Sequence, residues 1–217
     1  MATLNITHLF NPDYIIALTI LYLTSFPIHE WAHAWAAYQL GDDTAAIQGR
    51  LTINPLAHLD PLGALSMVFF GYGWGKPVPV SPYRLRGNMR ASEALVAAAG
   101  PFSNLVLAML GAIPFRLGWL SVYSVGNSAI SLTNILLQFT AINLSLMVFN
   151  LIPIPPLDGS RVLRWLLPYQ WAHTMDRIEQ LGGAGLMMLL FLLSRFGILS
   201  LIMGPVMFFM FRALGVY

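Results

Sequence analysis

His29, Glu30 and His33 stand in the order His-Glu-x-x-His within the stretch SFPIHEWAHAWAAY, residues 25–38. Residues four apart share one face of a helix, so both imidazoles can reach a single ion. Glu30 lies beside the first of them, on the side where a carboxylate can take a proton from water. Zinc bound there lowers the pKa of such water toward neutrality. The chemistry predicted is metal-assisted hydrolysis. Chance alone would produce the pattern in roughly one of several hundred chains with this His and Glu content. The bland alternative is a histidine pair making interhelical hydrogen bonds. Placement argues against it, because ionisable groups inside an apolar span are costly and mark function.

Two histidines do not complete a catalytic zinc site, which has three protein ligands and an open position. The chain has no cysteine, so thiolate ligands, disulfides and a cysteine nucleophile are excluded and the third ligand must be His, Asp or Glu. The candidate is Asp158 in NLIPIPPLDGSRVL, residues 150–163. Pro153, Pro155 and Pro156 stop a helix and leave backbone unpaired. Gly159 permits a sharp turn after the aspartate. Alone, Leu-Asp-Gly is a common turn sequence; its weight comes from its pairing with the histidine motif.

The elements that must position these residues are apolar. Of 217 residues, 57% are hydrophobic and 9% charged, whereas soluble domains carry roughly 25% charged residues. This composition predicts an all-α polytopic membrane bundle forming a single domain over 1–217. A formal charge of +2 and a high pI raise nucleic acid as a partner. That reading is rejected, because the basic residues sit in short loops where they set topology. The first thirteen residues carry no Lys or Arg, so the first apolar segment is expected to be retained, not removed as a secretory signal.

About five transmembrane helices are expected, near 14–40, 92–117, 129–152, 176–194 and 197–214, the last two split at Ser194–Gly197. Pro61–Gly73 is apolar but too short to cross and reads as re-entrant or interfacial. Ala46–Val80, with Gly, Pro and β-branched residues, predicts a short membrane-embedded β-region lining a wet cavity. An N-terminus outside places Arg50, Lys76, Arg84, Arg86, Arg90, Arg161, Arg164, Arg177 and Arg212 inside. Only Arg116 and Arg195 are then left outside, a strong positive-inside bias.

The sequence resembles the site-2 protease family of intramembrane zinc metalloproteases. HEWAH matches its His-Glu-x-x-His, NLIPIPPLDG its Asn-x-x-Pro-x-x-x-x-Asp-Gly, and GPFSNL, residues 100–105, its Gly-Pro-x-x-Asn element. The resemblance runs from about Tyr14 to the C-terminus. It implies that His29, His33 and Asp158 ligate one zinc ion, that Glu30 is the catalytic base, and that Asn150 stabilises the oxyanion. It also implies an embedded β-region between the first two core helices, matching Ala46–Val80. The departures are the missing helix ahead of the histidine motif and the lack of room for a PDZ or nucleotide-sensing domain, which point to a compact prokaryotic form.

The expected substrate is a transmembrane protein or peptide, cut within or near its membrane segment in regulated proteolysis. A strand edge in Ala46–Val80 could hold the unwound substrate by β-addition. The bilayer is the other partner, and pairing of two copies is left open. The site is expected toward the cytoplasmic side of a prokaryotic cell membrane. The rivals are an inactive relative that binds membrane proteins, which the intact Glu30 opposes, and a metal-dependent transporter. The latter is opposed by ionisable groups clustered at one side. His58 in NPLAHLDP is weighed as a metal ligand against a hydrogen-bonding loop residue, the commoner case. Asn104 could orient a catalytic group or bridge two helices; Gly100 and Ala97 read as close helix packing.

Overall fold

The computed structural model describes residues 12–70, 74–122, 131–168, 192–193 and 196–216. Three helices are long and apolar enough to cross a membrane: α1 (Pro12–Gln39), α5 (Met89–Arg116) and α6 (Leu132–Asn150). Between α1 and α5 lie three short helices, α2 (Thr44–Ile47), α3 (Pro55–His58) and α4 (Pro61–Phe70). After α6 come α7 (Asp158–Leu166) and α8 (Ile198–Ala213). The expected helix near 176–194 lies outside the described residues apart from Leu192 and Leu193.

α5 is the central post. Asn88 caps it by accepting a hydrogen bond from the Ala91 amide at 3.1 Å. Its buried stripe runs through Ala97, Gly100, Asn104, Ala108 and Gly111 at three- and four-residue steps. Such small residues let backbones approach without the hydrophobic drive that lipid removes. A Cβ at Gly111 would stand 2.6 Å from the Thr140 hydroxyl of α6. On the other face Leu95, Phe102, Val106 and Met109 are exposed, as lipid-facing side chains would be.

α1 carries a π-turn at Leu21–Ser25, where the Phe26 amide reaches the Leu21 carbonyl. Pro27 follows at once and cannot donate to the turn above, so the ladder widens there instead of breaking.

The expected β-region does not form: the described residues contain no strand. The dipeptides Asn54-Pro55 and Asp60-Pro61 decide the matter. Asn54 Oδ1 accepts from the Leu56 amide at 3.1 Å, and Asp60 Oδ1 from Leu62 and Gly63 at 2.9 and 3.0 Å. A capping side chain followed by proline at the first helical position starts a helix, and these local signals outweigh the β-branched residues around them. Trp74–Val80 forms neither helix nor strand, and Pro77 and Pro79 have no amide to give a ladder.

The expectation that the segment from Pro61 is too short to cross agrees with the length of α4. α4 has ten residues, about 15 Å of helix. The chain then comes back to its start, because the Lys76 amide donates to the His58 carbonyl at 2.8 Å. The Tyr14 hydroxyl, near the N-terminal end of α1, donates to the Met67 carbonyl at 2.8 Å.

The last helix runs opposite to the expected direction. Leu199, at the start of α8, packs with Ile152 and Leu157 at the Asp158 end of the bundle. Phe211, Leu214 and Val216 pack with Ala112 and Phe115 at the far end. Arg212 therefore stands at the Arg116 end, not with the basic residues it was expected to join. Arg177 and Arg195 lie outside the described residues. Complementary packing along α6 fixes this direction, and hydropathy alone carries no sign of it.

Candidate metal centre

His29 and His33 project from one face of α1 and are buried, with Nε2 atoms 3.0 Å apart. Asp158 reaches them from the first residue of α7. Its Oδ2 lies 3.2 Å from His29 Nε2 and 3.3 Å from His33 Nε2. Among the described residues this is the group of His and carboxylate side chains whose atoms converge closely enough for one ion.

The path of the chain explains how a residue so distant in sequence arrives there. α6 ends at Asn150, and the turn that follows buries Ile152 and Leu157 against Leu199. Gly159 is needed for close approach, not for the sharp turn its sequence suggested: a Cβ there would collide with the Leu151 carbonyl. Gly159 is absent from the glycines with positive φ. The aspartate is thus pressed onto the end of α6. α7 is tied to α5 by Arg164 to Glu93 at 2.7 Å and by Arg90, whose Nη2 donates to the carbonyls of Leu167, at 2.7 Å, and Arg164.

Each imidazole has its other nitrogen engaged. His29 Nδ1 meets Asn104 Oδ1 at 2.6 Å, and His33 Nδ1 meets the Val96 carbonyl at 2.8 Å. Both partners are oxygens that accept, so each Nδ1 carries the proton and each Nε2 presents a lone pair. Three lone-pair atoms then face one another. Asp158 Oδ2 is buried with no hydrogen-bond donor of its own. Such a cluster repels itself unless a cation lies between. Atoms bound to a tetrahedral zinc at about 2.0–2.2 Å sit roughly 3.3–3.5 Å apart, close to the separations observed. The two nitrogens and one carboxylate oxygen therefore fit zinc.

Glu30 is buried beside His29 and is not one of the three converging groups. Among the described residues its carboxylate accepts no hydrogen bond, which leaves its oxygens for water. A small cavity of about 40 Å³ lined by Val80, Pro82, Glu93, Val96 and Arg161 lies next to the carbonyl that holds His33. One water needs at least about 10–15 Å³, so the cavity admits a few.

Asn150 is not tied to the three converging residues. It is the last residue of α6, half-buried, and its amide donates to the Leu146 carbonyl at 3.0 Å. His58 is fully buried but stands apart from the cluster. Its Nε2 donates to the Thr52 carbonyl at 2.7 Å and its Nδ1 accepts from Arg50 at 3.3 Å. Arg50 also donates to the Lys76 carbonyl at 2.5 Å. This clasp closes the base of the α4 hairpin. Burial pushes the Arg50 guanidinium pKa down, and the charge of Glu30 works against that shift.

Asn104 bridges helices, one of the two roles the sequence allowed, and the group it meets is a helix residue and not one from a loop. It orients His29, and its Nδ2 donates to Asn143 Oδ1 at 2.9 Å and to the Ser25 carbonyl at 3.3 Å, bridging three helices. Gly100 does more than ease packing, since it backs directly onto the two imidazoles. Sequence reasoning missed Asn143. The available signal was a buried-type amide seven residues before Asn150, hence on the same face of an apolar span.

Comparison with known proteins gives a consistent set. A family model described as Peptidase family M50 matches residues 116–193, which include Asn150 and Asp158. "Putative zinc metalloprotease YwhC" of Bacillus subtilis (strain 168) is 44% identical over 169 residues, covering 76% of this chain and 75% of the relative. "Putative zinc metalloprotease Rip2" of Mycobacterium tuberculosis (strain ATCC 25618 / H37Rv) is 34% identical over 145 residues, 65% of this chain and 54% of the relative. "Putative zinc metalloprotease MJ0611" of Methanocaldococcus jannaschii is 30% identical over 181 residues, 79% and 84% respectively. No solved structure matches the chain.

Proposed function

Because the chain belongs to peptidase family M50, the site-2 proteases, we propose that it is a zinc endopeptidase cutting peptide bonds within or near transmembrane segments. That it is an integral membrane metalloprotease using zinc follows from the family and the three membrane-length helices. The finer reading is carried by one observation. His33 and His29, on which Asp158 converges, sit six and ten residues inside the Gln39 end of a 28-residue apolar helix. That is about 9–15 Å along its axis. A peptide bond at such depth is sheltered by lipid and by its own helix, so metal and water must be brought to it behind protein walls.

Zinc held by the three residues would supply Lewis acidity, polarising the scissile carbonyl and making water acidic enough to deprotonate near neutral pH. Glu30 takes the proton as the water oxygen bonds to the carbonyl carbon. When the C–N bond breaks, Glu30 returns that proton to the departing amine. Asn150 can release the Leu146 carbonyl by side-chain rotation and donate its amide to the oxygen that gains charge. Asn104 and the Val96 carbonyl keep the imidazoles aimed throughout.

The stretch Trp74–Val80 supports a place for substrate. Val78, between its prolines, and Val80, just after them, keep amides that make no backbone hydrogen bond among the described residues. Val80 lines the cavity beside Val96. An unwound substrate can bond to these amides. Arg84, Arg86, Arg90, Arg161 and Arg164 stand at the Asp158 end of the bundle. Arg116 and Arg212 stand at the other, which favours a site facing the cytoplasm of a prokaryotic cell. Regulated release of a membrane-held protein is the biological role this arrangement fits.

The test is the full chain purified in detergent, assayed for bound zinc and for cleavage of a panel of transmembrane peptides. One zinc per chain and cuts within apolar segments are expected. A chain that keeps zinc and cuts only soluble peptides overturns the intramembrane reading.

A further inference from the structure

We propose that Asn143 is a positioning residue for the metal centre: acting through the Asn104 amide, it fixes the His29 tautomer that turns Nε2 toward the ion. The inference rests on the reading of His29, His33 and Asp158 as zinc ligands. It concerns a residue outside every motif that carries the family resemblance.

Asn104 and Asn143 are both 0% exposed. A side-chain amide can be turned over with little change of shape, so what selects its orientation is the set of groups it faces. Here the selection starts at a group with no choice. The Phe139 carbonyl can only accept, and Asn143 Nδ2 donates to it at 2.9 Å. Asn143 Oδ1 must then face Asn104, where it accepts from Nδ2 at 2.9 Å. That turns Asn104 Oδ1 toward His29, 2.6 Å from Nδ1. An oxygen at that distance requires the proton on Nδ1 and leaves Nε2 bare for the metal. If Asn104 turned over, its NH2 would face Nδ1 and favour the tautomer with hydrogen on Nε2, the atom that points at Asp158. The Ser25 carbonyl also selects against the flip, but at 3.3 Å it is the longer of the two bonds. His33 needs no such relay, because a backbone carbonyl fixes it directly. Of the two ligands on α1, only His29 depends on a side chain whose own orientation has to be set. The relay crosses α6, α5 and α1, so correct packing of the three helices and correct aim of the ligand are one event.

Asn143→Leu and the smaller Asn143→Ser both withdraw the acceptor from Asn104. Asn143→Asp restores it, because a carboxylic acid buried there stays neutral and keeps a carbonyl toward Asn104 and an O–H toward Phe139. Thr140→Val is the control, since that buried hydroxyl on the same helix donates to the Leu136 carbonyl and takes no part in the relay. The measurement is zinc affinity of the purified full chain by chelator competition, with the visible spectrum of the cobalt-substituted protein. Loss of a partner behind a metal ligand costs about 10–100-fold in affinity. That loss and an altered cobalt spectrum are expected for Asn143→Leu and Asn143→Ser, with recovery in Asn143→Asp and no change in Thr140→Val. Wild-type affinity and spectrum in either loss variant overturn the relay. So does an equal loss in Asn143→Asp or Thr140→Val, which would mark a packing role. A wild-type chain that retains no zinc overturns the metal reading itself, a result distinct from the other two.

Discussion

Gly100 and His33 are in contact across the α1–α5 interface: a Cβ on Gly100 would stand 2.5 Å from His33 Cε1, and 2.7 Å from Cε1 of His29. No real Cβ tolerates such distances, so both rings would have to move. Overpacking of this kind costs about 1–3 kcal/mol, and here the groups displaced are two of the three side chains that converge at the candidate metal centre. Gly100→Ala is expected to lose zinc and activity together. Gly204→Ala, in α8 with nothing within 4 Å of its Cβ position, should be neutral or slightly stabilising. Zinc content and melting temperature of the two variants check the contrast.

Glu30→Gln keeps the size of the side chain and removes its basicity. Because Glu30 is outside the converging triplet, zinc content should match the unmodified chain. Cleavage of a transmembrane peptide should fall by about 10²–10⁴-fold. Equal rates at equal zinc loading would remove Glu30 from the mechanism.

Asp158→Ala leaves two imidazoles facing a gap. Zinc at 1,000 times its dissociation constant should stabilise the unmodified chain by about 4 kcal/mol. This would appear as a fall in melting temperature when a chelator is added. In Asp158→Ala the chelator-induced fall is expected to shrink or vanish. An undiminished fall would mean that zinc binds elsewhere.

The Arg50–His58 clasp holds the base of the α4 hairpin by bonds to Thr52 and Lys76. Removing one member leaves buried polar groups unpaired, at about 1–3 kcal/mol. His58→Leu and Arg50→Met should each raise proteolytic nicking between residues 59 and 76 while zinc content stays constant. Because the two residues share one network, the double variant should cost less than the two single variants combined. Loss of zinc in His58→Leu would reinstate it as a ligand.

The sequence told most where chemistry restricts the choice of residue. Few side chains bind zinc, and without cysteine the third ligand had to be His, Asp or Glu; Asp158 after a proline run was found on that ground. Apolar length likewise marked α1, α5 and α6 to within a few residues. The sequence misled where two local signals competed. In 46–80 the β-branched residues suggested strands, but Asn54-Pro55 and Asp60-Pro61 were stronger, because a satisfied cap and a preset φ act within a single turn while a strand needs a partner elsewhere.

By itself, then, the amino-acid sequence determined the membrane setting and which residues could serve a metal, since both follow from side-chain chemistry and short-range spacing. Tertiary structure alone decided how these are aimed. The tautomer of His29, the contact of Gly100 with the rings and the direction of α8 depend on groups tens of residues apart, brought to within 2–4 Å. Hydropathy and spacing are blind to these because each is a property of two or three helices packed together, and no single helix contains it.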